Sequence, residues 1–374
     1  MRVIFTCGGT GGHINPALAV AKLMKNRRPE TEILFVGADD GMERTLVPRE
    51  GFRLETLRIS SYQRKLTPAA VAHNVAALVH IEQSKRKADR ILRDFRPDVI
   101  VGTGGYASYP MLRQGARRGI PTAVHEANAM PGLTTRMVAK TASRILVCFE
   151  ESRAYYPDPD RVTVVGMPVR EEFIYTRRDE ARKRLGLEGQ KLIISAWGSL
   201  GAREMNKKIA EFMACECAEG APFRHIHATG SYGWRWMPDY VREQGVTLSD
   251  YPQLDMREYI YNMPELMAAA DLFITRAGAS TLNEIAAAGT PCIIVPSPNV
   301  TDNHQEKNAR VLERHGAAVV LREEGLTGAA LYEQAKELLT DQERCAQMRS
   351  ALASLAVVDS AERIYQTILE LAKQ

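Results

Sequence analysis

Short, nearly uninterrupted apolar runs alternate along this chain with longer stretches whose apolar positions recur every three or four residues. The short runs read as strands buried on both faces, and the longer periodic stretches read as the helices that cover them. In the first half the pattern predicts strands near 2–7, 32–37, 98–102, 121–125, 144–148 and 162–165. Helices are predicted near 15–27, 40–50, 68–95, 107–118, 131–140 and 151–156. The second half repeats the layout, with strands near 191–196, 223–228, 246–249, 272–275, 292–295 and 318–320. Strict alternation of strand and helix implies an α/β fold of parallel sheets with right-handed crossovers. A length of 374 residues exceeds one ordinary core. The expectation is therefore two doubly wound, Rossmann-like domains facing across a cleft. Gly166, Met167 and Pro168 punctuate a strand end and suggest the connection, giving domains at 1–166 and 167–356. A last helix, within 357–374, is expected to cross back onto the first domain.

Four of the predicted strands empty into glycine-rich loops. They are Gly8-Gly9-Thr10-Gly11-Gly12-His13, Gly102-Thr103-Gly104-Gly105-Tyr106, Gly198-Ser199-Leu200-Gly201 and Gly278-Ala279-Ser280-Thr281. A strand that ends in glycines and reopens as a helix presents free N–H groups and a dipole of about +0.5 charge, which favours phosphate. Tight turns alone would also use glycine, but open parallel sheets bind ligands at this edge, and here all four loops fall on it. No loop carries the lysine of a Walker motif. The dinucleotide fingerprint fails at Ile14 in the first loop and at Ala107 in the second.

Charge refines the picture. Net charge is only +4, yet residues 1–169 hold 25 Lys and Arg against 16 Asp and Glu, and the remainder is acidic. A basic first half points to an anionic partner, either a phosphorylated substrate or an acidic membrane surface. Nucleic acid is not expected, since the basic residues lack interleaved aromatics and no recognition motif is present. Six cysteines show no metal-finger spacing and read as reduced core residues. No run is long enough to span a bilayer, and Met1-Arg2 leads straight into a strand, so a cytoplasmic protein is expected.

The loops, taken in order, resemble those of the MurG glycosyltransferases. Gly8 to Ala17, Gly102 to Tyr106, His125-Glu126-x-Asn128, and Gly198-Ser199-x-Gly201-Ala202 carry the likeness. So do the segment Arg276 to Pro291 and the block Asp302-x-x-Gln305-x-x-Asn308-Ala309. The chain departs from the family at Trp197, Leu200, Ala127 and Met167, where glycine, glutamine, glutamine and asparagine are usual. The resemblance implies a GT-B fold and transfer of N-acetylglucosamine from UDP-GlcNAc to undecaprenyl-pyrophosphoryl-N-acetylmuramyl-pentapeptide (lipid I), giving lipid II. Alternatives are another GT-B enzyme using UDP-GlcNAc, such as a 2-epimerase, or a non-catalytic nucleotide-sugar-binding protein.

On that resemblance, Glu284 accepts the ribose hydroxyls, while Ser199, Arg170 and the loop amides hold the pyrophosphate. Ile260 meets the uracil edge through its main chain, and Ala279, Ser280, Thr281, Leu282 and Asn283 complete the donor segment. Gln305 and Asn128 suit sugar hydroxyls, Thr10, Gly11 and Gly12 lie near the transferred sugar, and Gly104, Gly105 and Tyr106 meet the acceptor. His13 leads as base for the C4 hydroxyl because it ends a glycine loop and imidazole titrates near neutrality; Glu126 is the rival. Helix N-termini can stabilise the leaving diphosphate, so neither metal nor cofactor is required. Ala76 to Ile81, Arg64, Lys65 and Lys85 to Lys87 are expected to form a peripheral membrane face on the cytoplasmic side of the cell membrane.

Overall fold

The computed structural model describes residues 1–59 and 67–373, with the helix backbone alone over 68–79. Arg64, Lys65 and the side chains of 76–79 in the expected membrane face lie outside the described residues. The chain divides into two compact units: Met1–Val169 together with Val357–Gln374, and Arg170–Ala356.

The N-terminal unit holds β1 (Arg2–Thr6), β2 (Glu32–Ala38), β3 (Arg53–Leu57), β4 (Val99–Gly102), β5 (Thr122–Glu126), β6 (Arg144–Val147) and β7 (Val162–Val164). They form one sheet in the order β3-β2-β1-β4-β5-β6-β7, parallel at every pairing. The two faces of β1 explain its uninterrupted apolar sequence. Val3 and Phe5 join a core with Ala17, Val20 and Met24 of helix Gly11–Arg27, whereas Ile4 faces Leu92, Met111 and Leu112 on the other side. The first of these cores is completed by Ile364, Tyr365, Ile368 and Leu371 of the final helix, Ser360–Leu371.

The C-terminal unit holds β8 (Leu192–Ala196), β9 (Arg224–Ala228), β10 (Leu254–Arg257), β11 (Leu272–Thr275), β12 (Cys292–Ile294) and β13 (Val319–Val320). Their order is β10-β9-β8-β11-β12-β13, again parallel throughout.

Three sequence expectations need correction. No strand forms at 246–249; a 3-10 turn occupies Leu248–Asp250, and the strand comes later, as β10. The helix expected at 151–156 is a 3-10 segment, Glu150–Tyr155. Edge strand β3 was not foreseen.

In each sheet, strand order reverses between two central strands, β1 and β4 in one unit and β8 and β11 in the other. The carboxyl ends flanking such a reversal are where open α/β sheets take ligands. The four glycine loops follow these four strands, one pair at each switch point.

Candidate active site

In the N-terminal unit the loop after β1 is braced from below. Glu43, fully buried, accepts the Gly9 N–H on Oε2 at 3.2 Å and the Ala38 N–H on Oε1 at 2.5 Å. A Cβ on Gly37 or Gly41 would strike this carboxylate, so both neighbours must be glycine. The loop then opens into helix Gly11–Arg27 at Thr10, whose side chain makes no capping bond, leaving the first N–H groups of the helix to a ligand.

His13 is oriented from three sides. Its Nδ1 lies 3.0 Å from the Gly8 carbonyl, which only accepts, so Nδ1 carries the proton and Nε2 presents a lone pair. The Thr103 hydroxyl donates to the His13 carbonyl at 2.6 Å. Gly104, with φ +111°, lies flat on the imidazole: a Cβ there would sit 2.5 Å from Cδ2 and 2.9 Å from Nε2. Gly105 makes the same close approach to the Gly8 carbonyl, so the loops after β1 and β4 interlock. Tyr106 stands beside them, 47% exposed.

Glu126 has a different environment. It is buried, and Oε1 accepts the Asn128 N–H at 3.0 Å and Nδ2 at 3.1 Å, while Oε2 accepts the Gly132 N–H at 3.0 Å. Both oxygens thus organise the loop that enters helix Leu133–Ala139. His125 is buried beside it, and its Nε2 lies 2.9 Å from the Gly166 carbonyl.

In the C-terminal unit the loop after β8 rests main chain on main chain against the loop after β9. Gly201 and Gly230 both have positive φ, +81° and +74°, and a Cβ on either would overlap the other loop's backbone. The Ser231 N–H donates to the Ser199 carbonyl at 3.2 Å and the Tyr232 N–H to the Leu200 carbonyl at 3.3 Å. Ser199 itself is exposed. Trp197 is buried, with the Arg276 guanidinium 5.8 Å from its ring centre; Arg276 in turn pairs with Glu323 at 2.6 Å.

Helix Ala279–Ala288 starts from Gly278 with no side-chain cap, so its first N–H groups point at an open edge. Gln305 Oε1 ties neighbouring loops together, accepting from Ala277 N–H at 3.3 Å and Ser297 N–H at 2.9 Å. Leu282 is buried and its N–H bonds the Gly278 carbonyl at 3.0 Å, and Asn283 turns its amide back to the Ala279 carbonyl at 2.9 Å. Ile260 is buried between Tyr259 and Tyr261, which are 49% and 85% exposed.

Glu284 is the one residue of the donor segment whose charge is unsettled. Burial pushes its carboxyl up to about 7, and Arg170 pulls the other way. No hydrogen bond reaches it from the described residues. A desolvated carboxylate with no hydrogen-bond partner among the described residues, on the helix that opens at Gly278, makes Glu284 a candidate ligand contact.

The structure therefore brings His13, Gly104 and Gly105 together in one unit, and Arg170 and Glu284 within electrostatic reach in the other. Sequence reasoning missed Glu43 and the Thr229–Gly233 loop. Gly37 and Gly41 are both crowded against the Glu43 carboxylate, a contact that only the fold creates.

Residues 3–147 match the Glycosyltransferase family 28 N-terminal domain, and residues 193–364 match the Glycosyltransferase family 28 C-terminal domain. A protein of Acetivibrio thermocellus is 40% identical over 374 residues, covering 100% of this chain and 99% of its own length. It is named UDP-N-acetylglucosamine--N-acetylmuramyl-(pentapeptide) pyrophosphoryl-undecaprenol N-acetylglucosamine transferase. The chain belongs to the MurG glycosyltransferases. A relative of the same name from Halalkalibacterium halodurans is 36% identical and covers 100% of both chains. Among solved structures, MurG of Acinetobacter baumannii superposes with a TM-score of 0.78 at 24% identity, covering 99% of each chain. A UDP-GlcNAc 2-epimerase from Neisseria meningitidis shares the fold at a TM-score of 0.66 and 14% identity, covering 99% of this chain and 100% of its own. The paired Rossmann-like units are those of the GT-B fold.

Proposed function

We propose that this chain transfers N-acetylglucosamine from UDP-GlcNAc to N-acetylmuramyl-pentapeptide carried on pyrophosphoryl-undecaprenol, converting lipid I to lipid II. The observation that carries the reading is the C-terminal switch point. An uncapped helix N-terminus at Gly278 and a half-buried Glu284 with no hydrogen-bond partner among the described residues stand on one helix, an arrangement suited to a nucleoside diphosphate. The Ile260 main chain meets the uracil, Glu284 the ribose hydroxyls, and Ser199, Arg170 and the amides of Ala279, Ser280 and Thr281 the diphosphate. Gln305 offers the NH2 group that its loop contacts leave over to the sugar.

In the reaction, the acceptor C4 hydroxyl attacks the anomeric carbon, the bond to UDP breaks, and configuration inverts. His13 Nε2 takes the hydroxyl proton, because its lone pair is held outward by the Nδ1 bond to Gly8. Glu126 and Asn128 are read as the frame of the acceptor loop, since the carboxylate already accepts three hydrogen bonds. The N–H groups at the helix N-termini and Arg170 stabilise the charge that develops on the departing diphosphate. Thr10, Gly11, Gly12, Gly104, Gly105 and Tyr106 form the acceptor side.

The acceptor's polyprenyl chain lies in a bilayer, and among the described residues no helix is long and apolar enough to cross one. The basic cluster supports reading the protein as bound peripherally to the anionic cytoplasmic face of the cell membrane, with Lys85, Arg86 and Lys87 each contributing about 1 kcal/mol near such a surface.

The test is incubation with UDP-GlcNAc, with and without a lipid I analogue. UDP release and a disaccharide product that both require the analogue are expected. Free sugar released without an acceptor would instead mark an epimerase-type enzyme and overturn the reading.

A further inference from the structure

Four polar side chains are sealed inside the C-terminal unit with no exposure at all: Ser195 on β8, His225 and His227 on β9, and Glu216 on helix Arg203–Ala218. The alternation of β9 puts both histidines on one face, and the β8–β9 register sets Ser195 opposite His227. The four groups form a continuous chain. Glu216 Oε2 lies 2.7 Å from His225 Nδ1, His225 Nε2 lies 2.8 Å from Ser195 Oγ, and that oxygen lies 2.7 Å from His227 Nδ1. His227 Nδ1 also lies 3.2 Å from the Ser195 carbonyl.

With both rings neutral, one proton arrangement satisfies every contact. Carboxylate and carbonyl oxygens only accept, so both Nδ1 atoms carry protons. Ser195 Oγ then accepts from His227 and donates to His225 Nε2. Burial is the main cause that lowers the pKa of His227 to about 3, and it keeps that ring neutral. Phe212 closes the site edge-on, 5.2 Å from the His225 ring centre. Glu216 Oε1 and His227 Nε2 are buried without a partner among the described residues. Replacing buried charged or polar groups by apolar side chains of similar volume is often neutral or stabilising, so a buried chain of this kind calls for a role beyond packing.

We propose that this buried chain is a positioning device for the donor diphosphate. Ser195 stands two residues before the Trp197–Gly201 loop, and His227 two residues before the loop that begins at Thr229. Those loops meet backbone to backbone at Gly201 and Gly230. Bridging Ser195 to both imidazoles pins the ends of β8 and β9 to one another and to the helix behind them. The N–H groups of the first loop are thereby held converged on the diphosphate, in keeping with the sub-ångström tolerance of a preorganised site. The inference rests on the reading of this unit as the donor site, and it makes Ser195, His225, His227 and Glu216 positioning residues.

The experiment uses the full-length enzyme, with steady-state kinetics for both substrates and calorimetry with UDP. Ser195→Ala removes the bridge and is expected to raise KM for UDP-GlcNAc about tenfold, with kcat and acceptor KM within about twofold. UDP affinity weakens in parallel. His227→Asn, whose amide nitrogen replaces Nδ1 as the donor to Ser195, retains a near-wild-type KM, whereas His227→Leu reproduces the serine variant. Should Ser195→Ala fail to fold, the Asn and Leu variants at 227 carry the comparison by themselves. A lowered melting temperature with unchanged KM for UDP-GlcNAc in Ser195→Ala and His227→Leu assigns the chain to the core alone and overturns the proposal. Equal rises in both KM values overturn it too. Wild-type enzyme that binds no UDP refutes the donor-site reading itself, before any variant is compared.

Discussion

On the proposed reading that Glu284 holds the ribose, donor binding depends on pH in a direction set by its burial. Its carboxyl is held at about 7 by burial, with Arg170 opposing, against 4.5 for an unperturbed group. Ribose hydroxyls donate best to the ionised form, so protonation removes a charge-assisted acceptor at the point of contact. Hydrogen bonds to a charged group contribute about 1.5–3 kcal/mol each. Gln in place of Glu keeps one neutral acceptor, so Glu284→Gln is expected to cost about 2–3 kcal/mol, or roughly 30- to 150-fold in affinity at pH 8. The wild type should bind UDP-GlcNAc at a constant Kd above about pH 7.5 and lose up to tenfold in affinity per pH unit below 7. The variant should show a flat profile. Isothermal calorimetry between pH 5.5 and 8.5 is suitable, because both phosphates of UDP-GlcNAc are diesters that stay singly ionised throughout. The folded pKa is raised, so the carboxyl's contribution to stability is full below about 4.5 and is lost as pH rises through about 7. That loss is at most roughly 3 kcal/mol, so Glu284→Gln should melt higher than wild type at pH 8 while binding worse. A variant within threefold of wild-type affinity, or a wild-type profile flat across neutrality, refutes the assignment of Glu284 to the ribose.

Three further outcomes are expected. His13→Ala should lower turnover roughly 10²–10⁴-fold while UDP-GlcNAc affinity persists, as calorimetry beside a product assay would show; unchanged turnover removes His13 from the mechanism. Gly104→Ala places a Cβ 2.5 Å from the His13 ring at a φ of +111°, so a loss of roughly 1–3 kcal/mol in denaturant melts and a large fall in kcat should appear together. Reversing Lys85, Arg86 and Lys87 to Glu should release the protein from anionic liposomes on co-sedimentation, since each cation contributes about 1 kcal/mol there; binding insensitive to both the reversal and salt rules that face out.

How much of this was legible in the chain depends on burial. β1, β4, β8 and β11 were plain because both of their faces are covered, which demands apolar residues at consecutive positions and leaves glycine to mark the end. The two strands misjudged, β3 and β10, are the outermost strands of their sheets. Arg53-Leu-Glu-Thr-Leu57 and Leu254-Asp-Met-Arg257 carry charge because an edge need not be apolar. Val246 and Leu248 mimicked a strand by alternation but belong to a turn. The glycine loops themselves could be read because each is contiguous and follows a buried strand. Glu43 and Glu216 could not, since a carboxylate inside a helical pattern suggests solvent. Each instead serves a partner distant in sequence: the Gly9 N–H for Glu43 and the ring of His225 for Glu216.

The final helix imposes an order on biosynthesis. Ile364, Tyr365, Ile368 and Leu371 complete the cluster begun by Val3 and Phe5, yet the ribosome reaches them only after the whole Arg170–Ala356 unit. At about 5–20 residues per second, the nascent first sheet waits roughly 10–40 s with that cluster short of its last helix. The half that carries His13 is thus begun first and finished last. A premature stop codon just before the helix would leave the whole Arg170–Ala356 unit in place and take part of the cover from the other.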